Sequence, residues 1–411
     1  MKKLLTLLVC ILIAGPVFAQ VENPTDAAKN GATNATNRNI DNTVNSGINK
    51  TEGAIKGLFK KKKKNDNNQQ ATVNQQNNSQ TASSTNGGSD AGPATIADYK
   101  NYDFVPGDKI IFQSNLQDES VGEIPSQFIL NHGQMDIQQV DGENVIHIPA
   151  GAGATMMPRM KTTAYMPDQF TVEFDFKNEK FGINHLMVDF GNRVYYAQNP
   201  AIMPGLYLYN GSVNWTLGDV DYPADMHVDK PGQWHHIAIA INKTVGKVYI
   251  DQYRVANVNN LTGKPNNVTI DLNGYESSYV KNIRIASGGI DIYKEVTTDS
   301  KIVTHGILFD VDKSTIKPES MGTINSIYQL LAKTPSLKFE IDGHTDNAGD
   351  AAHNLTLSQQ RADAVKAQLV SMGIDASRLT TKGFGDTKPL GPNDSPEGKA
   401  NNRRVELIKT S

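Results

Sequence analysis

LKFEIDGHTDNAGDAAHNLTLSQQRADAVKAQLVSMG, residues 337–373, changes its hydrophobic period part-way along, and that change decides how the C-terminal part of the chain folds. Leu337, Phe339 and Ile341 alternate with polar neighbours, the two-residue period of a strand. Ala362, Val365, Leu369 and Met372 then recur at helical spacing, with Ser358 placed to cap the start and Gly373 to close the end. Upstream, Ile307 and Phe309 alternate in GILFDV, and after Pro318 the residues Met321, Ile324, Ile327, Tyr328 and Leu331 share one helical face that Pro335 terminates. Val405 and Leu407 alternate near the end of the chain. The predicted order is strand, helix, strand, helix, strand, strand: an α+β domain with a βαβαβ core over residues 300–411.

The region before it has a different grain. In QWHHIAIAINKTVGKVYIDQYRVA, residues 233–256, Ile237, Ile239 and Ile241 alternate with Ala238 and Ala240, Asn242 to Gly246 turns the chain, and Val248 and Ile250 resume. That pattern is a hairpin. Residues 171–177 set Val172, Phe174 and Phe176 against Thr171, Glu173, Asp175 and Lys177, a half-buried strand with a solvated polar face. Many short strands without a helical period predict an all-β sandwich over residues 104–295. PGDKIIF at Pro106, FTVEFDFK at Phe170, GQWHHIAI at Gly232, VYIDQYRV at Val248 and VKNIRIAS at Val280 resemble the concanavalin-like, laminin-G-type jelly roll. An outer-membrane barrel is the rival architecture, but barrel strands need about nine to eleven residues and aromatic girdles, and neither is evident.

The N-terminus reads as a secretory leader, residues 1–19: Lys2 and Lys3, an apolar run from Leu4 to Phe18, and Ala19. Cys10, the single cysteine, lies inside it, which rules out a disulfide framework in the mature chain. A lipoprotein acylation site at Cys10 is the competing reading, with Val9 where a small residue is wanted. Residues 20–103, rich in Asn, Gln, Ser and Thr, are expected to form a disordered polar tether. Within it Ile40, Val44, Ile48, Ile55, Leu58 and Phe59 precede Lys60 to Lys64, so residues 40–64 form either a basic amphipathic segment for an envelope lipid surface or a solvated charge run. A formal net charge of −3 gives no general pull toward nucleic acid.

FDVDKSTIKPE from Phe309, EIDGHTDNAGD from Glu340, NLTLSQQRADAVKAQL from Asn354 and PEGKANNRRVEL from Pro396 together resemble the OmpA-like peptidoglycan-binding domain. On the residues alone, Arg361 falls in the first turn of its expected helix, where the helix dipole disfavours a cation by about 0.3 to 1 kcal/mol, so a bound anion would offset it. Asp346, in the turn after the preceding strand, would flank the same pocket, and the pair suits a zwitterion. A plain salt bridge between Asp346 and Arg361 is the competing reading. What the resemblance implies is that Asp346 contacts the ammonium of diaminopimelate in the peptidoglycan stem peptide and Arg361 its carboxylate. Thr345, Asn354, Arg403 and Asp310 would support them, and Asp312 stands where some relatives carry asparagine. It further implies a Gram-negative cell, in the periplasm beside the outer membrane and cell wall.

No cofactor is expected, and no metal site. His344, Asp346 and His353 match no strong ligand spacing, and a turn histidine satisfied by backbone explains them. Glu173 and Asp175 share a strand face as glycoside hydrolysis requires, but Lys177 occupies the position where concanavalin-like endoglucanases carry a second glutamate. Trp234 is expected in the core, and Trp215 as well. Two functions stay open: a non-enzymatic tether between cell wall and outer envelope, or a carbohydrate-binding or glycan-cleaving protein that the C-terminal domain holds at the wall. In either case a glycan or protein ligand of the sandwich stays open.

Overall fold

The alternation at Phe170 becomes the strand Gln169–Asn178 of the computed structural model, which describes residues 95–180, 182–191, 203–215, 218–224, 226, 228, 230–289, 296 and 300–411. Phe170, Val172, Phe174 and Phe176 all enter one core, each contributing about 1.5 to 3 kcal/mol by burial. The hairpin follows the same logic. Trp234–Asn242 pairs antiparallel with Val245–Ile250, and the Asn242↔Val245 register leaves a two-residue turn, Lys243 and Thr244. Lys243 has φ +58°, the left-handed conformation of a tight hairpin turn. Gly246, expected in the turn, lies in the second strand, where a Cβ would stand 2.3 Å from the Trp215 ring.

Antiparallel pairs assemble two sheets. Across the eight-stranded sheet run Tyr253–Val258, Val245–Ile250, Trp234–Asn242, Gln169–Asn178, Ser278–Ser287, Glu143–Ile148 and Asp136–Val140, with Lys109–Gln113 also on Ser278–Ser287. Leu186–Asp189, Leu206–Leu208 and Thr269–Leu272 belong to a second sheet of seven strands. Val172 and Ile239 from the first sheet and Val188, Leu206 and Ile270 from the second share one core. Trp215 is in it, 2% exposed, its Nε1 donating to the Pro204 carbonyl at 3.1 Å. Trp234 is not, contrary to expectation: it is half-buried, with the ammonium groups of Lys177 and Lys281 5.1 and 4.5 Å from its ring centre. Among the described residues no helix is long and apolar enough to cross a membrane.

The C-terminal module contains strand Lys301–Thr304, helix Met321–Lys333, strand Phe339–His344, helix Ala351–Ser371, strand Leu379–Gly383, helix Pro396–Asn402 and strand Arg404–Lys409. Its four strands stand in the order first, last, second, third, and the second and third are parallel. Two expectations are corrected here. Ile307 and Phe309 form no strand: the edge strand is Lys301–Thr304, the Gly306 amide turns back onto the Thr304 hydroxyl, and Phe309 makes a single bridge to Ile316. The longest helix starts well before Ser358, at Asp350, whose carboxylate accepts from the His353 amide at 3.0 Å. Arg361 is therefore mid-helix rather than in the first turn, away from the positive end of the helix dipole. Ser358 is instead buried under the helix, accepting from the Gly385 amide at 2.8 Å.

The polar face of the first sheet is not solvated. Ala238 and Tyr249 on that face pack with Tyr99, Tyr102, Phe104 and the module's Ile302, Met321 and Ile324 in one apolar cluster. Tyr99 and Tyr102, which the sequence reading places in the tether, are buried. The start of helix Met321–Lys333 approaches so closely that a Cβ on Gly322 would overlap the Phe104 carbonyl. Asp103 receives Lys247, Tyr249 and Arg254, and Asn401 exchanges hydrogen bonds with the Ile110 backbone at 3.1 and 3.3 Å. Sheets and module thus lie in one compact unit, Ser89–Ser411. The expected leader with Cys10 and the 40–64 segment lie outside the described residues.

Candidate functional site

Strand Phe339–His344 delivers Thr345 and Asp346 to the end of the module's sheet, and helix Ala351–Ser371 brings Asn354 and Arg361 beside them. The Thr345 amide donates to the Gly385 carbonyl at 2.9 Å, and its buried hydroxyl has no hydrogen-bond partner among the described residues. Asn354 holds the turn shut, its amide donating to the Ala348 carbonyl at 2.9 Å and to the Asp346 carbonyl at 3.4 Å. One Asp346 carboxylate oxygen accepts from the Ala348 amide at 2.9 Å. The other accepts from Arg403 Nη1 at 2.6 Å.

That last bond corrects the plain salt-bridge reading of the Asp346–Arg361 pair. Arg361 is not salt-bridged to Asp346. Its Nε donates to the Lys313 carbonyl at 3.0 Å, its Nη2 to the Asp310 carbonyl at 3.5 Å, and its guanidinium carbon lies 5.0 Å from the Phe309 ring centre. Burial first, then Arg403, lowers its pKa from the usual guanidinium value, with Asp312 and Asp346 opposing. The group stays charged and has no carboxylate partner among the described residues. Asp310 contributes its carbonyl, while its carboxylate faces Lys313 at 3.7 Å.

His344, Asp346 and His353 are not brought together: His353 pairs with Asp312, and among the described residues no cluster of His, Cys, Asp or Glu is arranged to hold a metal ion. Nor is His344 satisfied by backbone. It is buried against Phe384, ring planes 9° apart, and among the described residues both ring nitrogens are without hydrogen bonds. Burial and Arg404 push its pKa down to about 4, so the ring is neutral at pH 7.

On the sheet side, Glu173 and Asp175 are ion-paired rather than solvated. Glu173, 3% exposed, accepts from Arg284 Nε at 2.9 Å and Nη2 at 2.6 Å. His236 Nδ1 bonds Asp175 at 2.8 Å, its Nε2 stands 3.6 Å from Glu173, and Asn282 donates to Asp175 at 2.6 Å. Burial raises both carboxyl pKa values, but Arg284 and His236 hold Glu173 below the usual range, and His236, Asn282 and Lys317 do the same for Asp175. His236 is pushed up to about 10 despite burial, by Asp175 and then Glu173. Sequence reasoning placed the carboxylates on one face but missed Arg284, His236 and Asn282, which come from other strands.

This geometry surrounds a stretch of sequence that has known relatives, and the OmpA family model matches residues 308–403. These residues form an OmpA family domain. Outer membrane porin F of Pseudomonas fluorescens is 44% identical over 100 residues, 24% of this chain and 31% of that protein. The probable lipoprotein YiaD of Escherichia coli is 40% identical over 103 residues, 25% of this chain and 47% of that one. The peptidoglycan-binding protein ArfA of Mycobacterium bovis is 37% identical over 107 residues, 26% of this chain and 33% of that one. This chain thus spans less than half the length of each. A solved structure of the peptidoglycan-associated lipoprotein from Burkholderia pseudomallei is 28% identical, covering 25% of this chain and 88% of that one, with a TM-score of 0.24.

Proposed function

We propose that this protein is a non-enzymatic envelope component of a Gram-negative cell, which binds peptidoglycan non-covalently and tethers the wall to the outer envelope. The leader read in residues 1–19 agrees with delivery to the periplasm, and relatives of the OmpA family domain are outer-membrane proteins by name. The ligand group is the diaminopimelate of the stem peptide. The observation that carries this reading is Arg361: a charged guanidinium, fixed by two carbonyls and an aromatic ring, beside Asp346 and without a carboxylate of its own. A ligand carboxylate completes it through a charge-assisted bond. The ligand ammonium then shares Asp346 with Arg403, while Thr345 and Asn354 shape the turn.

We assign residues 104–295 to a concanavalin-like jelly roll, on the strength of two antiparallel sheets over one core. Its acid pair argues against glycan cleavage, because hydrolysis needs one carboxyl with a raised pKa and both are held low. The test is sedimentation of the mature chain with purified sacculi. Asp346→Ala and Arg361→Ala each weaken binding by about tenfold or more, the value of one lost charge-assisted hydrogen bond. Undiminished binding by both variants refutes the assignment.

A further inference from the structure

The eight-stranded sheet meets the OmpA family domain in two different ways across one face. One part is closed by apolar packing of Ala238 and Tyr249 against Tyr102, Phe104 and the module. Elsewhere the same face carries Glu173, Asp175, His236, Asn282 and Arg284, and a cleft of about 290 Å³ separates them from Lys317, Glu319 and Arg361. Apolar residues close such a junction at lower cost, since buried ion pairs repay their desolvation only with good geometry. The charged residues are concentrated where the cleft is.

The charges in the cleft do not all cancel internally. Arg284 pairs with Glu173, His236 with Asp175, Arg403 with Asp346 and Arg404 with Glu406. Among the described residues Arg361 hydrogen-bonds only carbonyls and Lys317 has no ion pair, its field reaching Asp175 across the cleft. Beside Lys317, on the same side of the cleft, one carboxylate oxygen of Glu319 is buried without a hydrogen-bond partner among the described residues. Arg284 also ties the wall to the module, its Nη1 donating to the His305 carbonyl at 2.9 Å.

We propose that this cleft is the second half of the wall-binding site. It takes the peptide next to diaminopimelate, with Lys317 receiving a second carboxylate and the Asn282 amide, held by Asp175, forming the opposite wall. The inference rests on the reading of Asp346 and Arg361 given above. It makes the sheets part of the binding site rather than a passenger.

The probe is a synthetic stem peptide containing diaminopimelate, compared with the same peptide whose neighbouring carboxylate is amidated, titrated calorimetrically into the mature full-length chain. Wild type prefers the free acid by about tenfold, as one charge-assisted hydrogen bond provides. Lys317→Gln removes that preference, binding the free acid and the amidated peptide alike. Asn282→Ala, read alongside its melting temperature, weakens both peptides by about threefold. If wild type and Lys317→Gln show the same preference while Asp346→Ala loses binding, the cleft has no part and the wall-binding reading stands. If Asp346→Ala and Arg361→Ala bind both peptides like wild type, that reading fails and takes this inference with it.

Discussion

Arg361 illustrates why charge alone does not define a binding residue. Its Nε and Nη2 are taken by the carbonyls of Lys313 and Asp310 and its plane lies near Phe309, so the loop around Asp310 and the helix fix each other through one guanidinium. A lysine keeps the charge but has neither the fork nor the flat face. Arg361→Lys is therefore expected to lose most of the tenfold that Arg361→Ala loses, measured as the fraction bound to sacculi, with little change in melting temperature. Gly246 is a second residue whose identity is forced, here by the Trp215 ring that any Cβ would strike. Overpacking of this kind costs about 1 to 3 kcal/mol. Gly246→Ala should lower the urea midpoint accordingly without altering the slope of the transition.

Helix Ala351–Ser371 shows what local patterns reveal and what they conceal. Its second half was legible, because Ala362, Val365 and Leu369 repeat at helical spacing and Gly373 follows with φ +108°. The first half was not, because the buried face continues through Asn354 and Ser358, which satisfy the turn and the Gly385 amide rather than an apolar core. A hydrophobic period cannot register a face that is buried for hydrogen bonding. The short helix Pro396–Asn402 lacks an apolar period too, although Ser395 followed by Pro396 is a start signal. Asp346 and Arg361 were legible as candidates through motif resemblance, and Arg403 as a supporting residue, but the ion pair between Arg403 and Asp346 was not, because the two come from different elements. Since Asp350 caps the long helix, Asp350→Ala should cost about 1 kcal/mol in urea unfolding, the usual value of a lost N-cap.

At the scale of the molecule, alternation in residues 171–177 announced two faces of a strand but could not say what covers the polar one, because the covering residues lie far away in sequence, as Asn401 lies from Ile110. The junction they form carries two histidines whose pKa values move in opposite directions. His236 is raised to about 10 by Asp175 and Glu173, so its contribution is fully present below about pH 6.5 and is lost as pH rises through 10. His305 is lowered to about 4 by burial and then by Arg284 and Arg404, its Nε2 donating to the Asn401 carbonyl at 2.9 Å. Its unfolded form binds a proton more readily, so stability falls as pH drops from about 6.5 to about 4, by as much as about 3 kcal/mol. His344, also lowered to about 4, adds to the same acid limb. Stability of the compact unit is therefore expected to peak near neutrality and to fall on both sides, followed as melting temperature by calorimetry from pH 4 to 10. His305→Gln should flatten the acid limb by about half, leaving the share of His344, and His236→Gln should flatten the alkaline limb. An acid limb of unchanged slope in His305→Gln would mean that the junction histidine is not held neutral, and that the sheets and the module are less closely joined than the Arg284 and Asn401 bonds require.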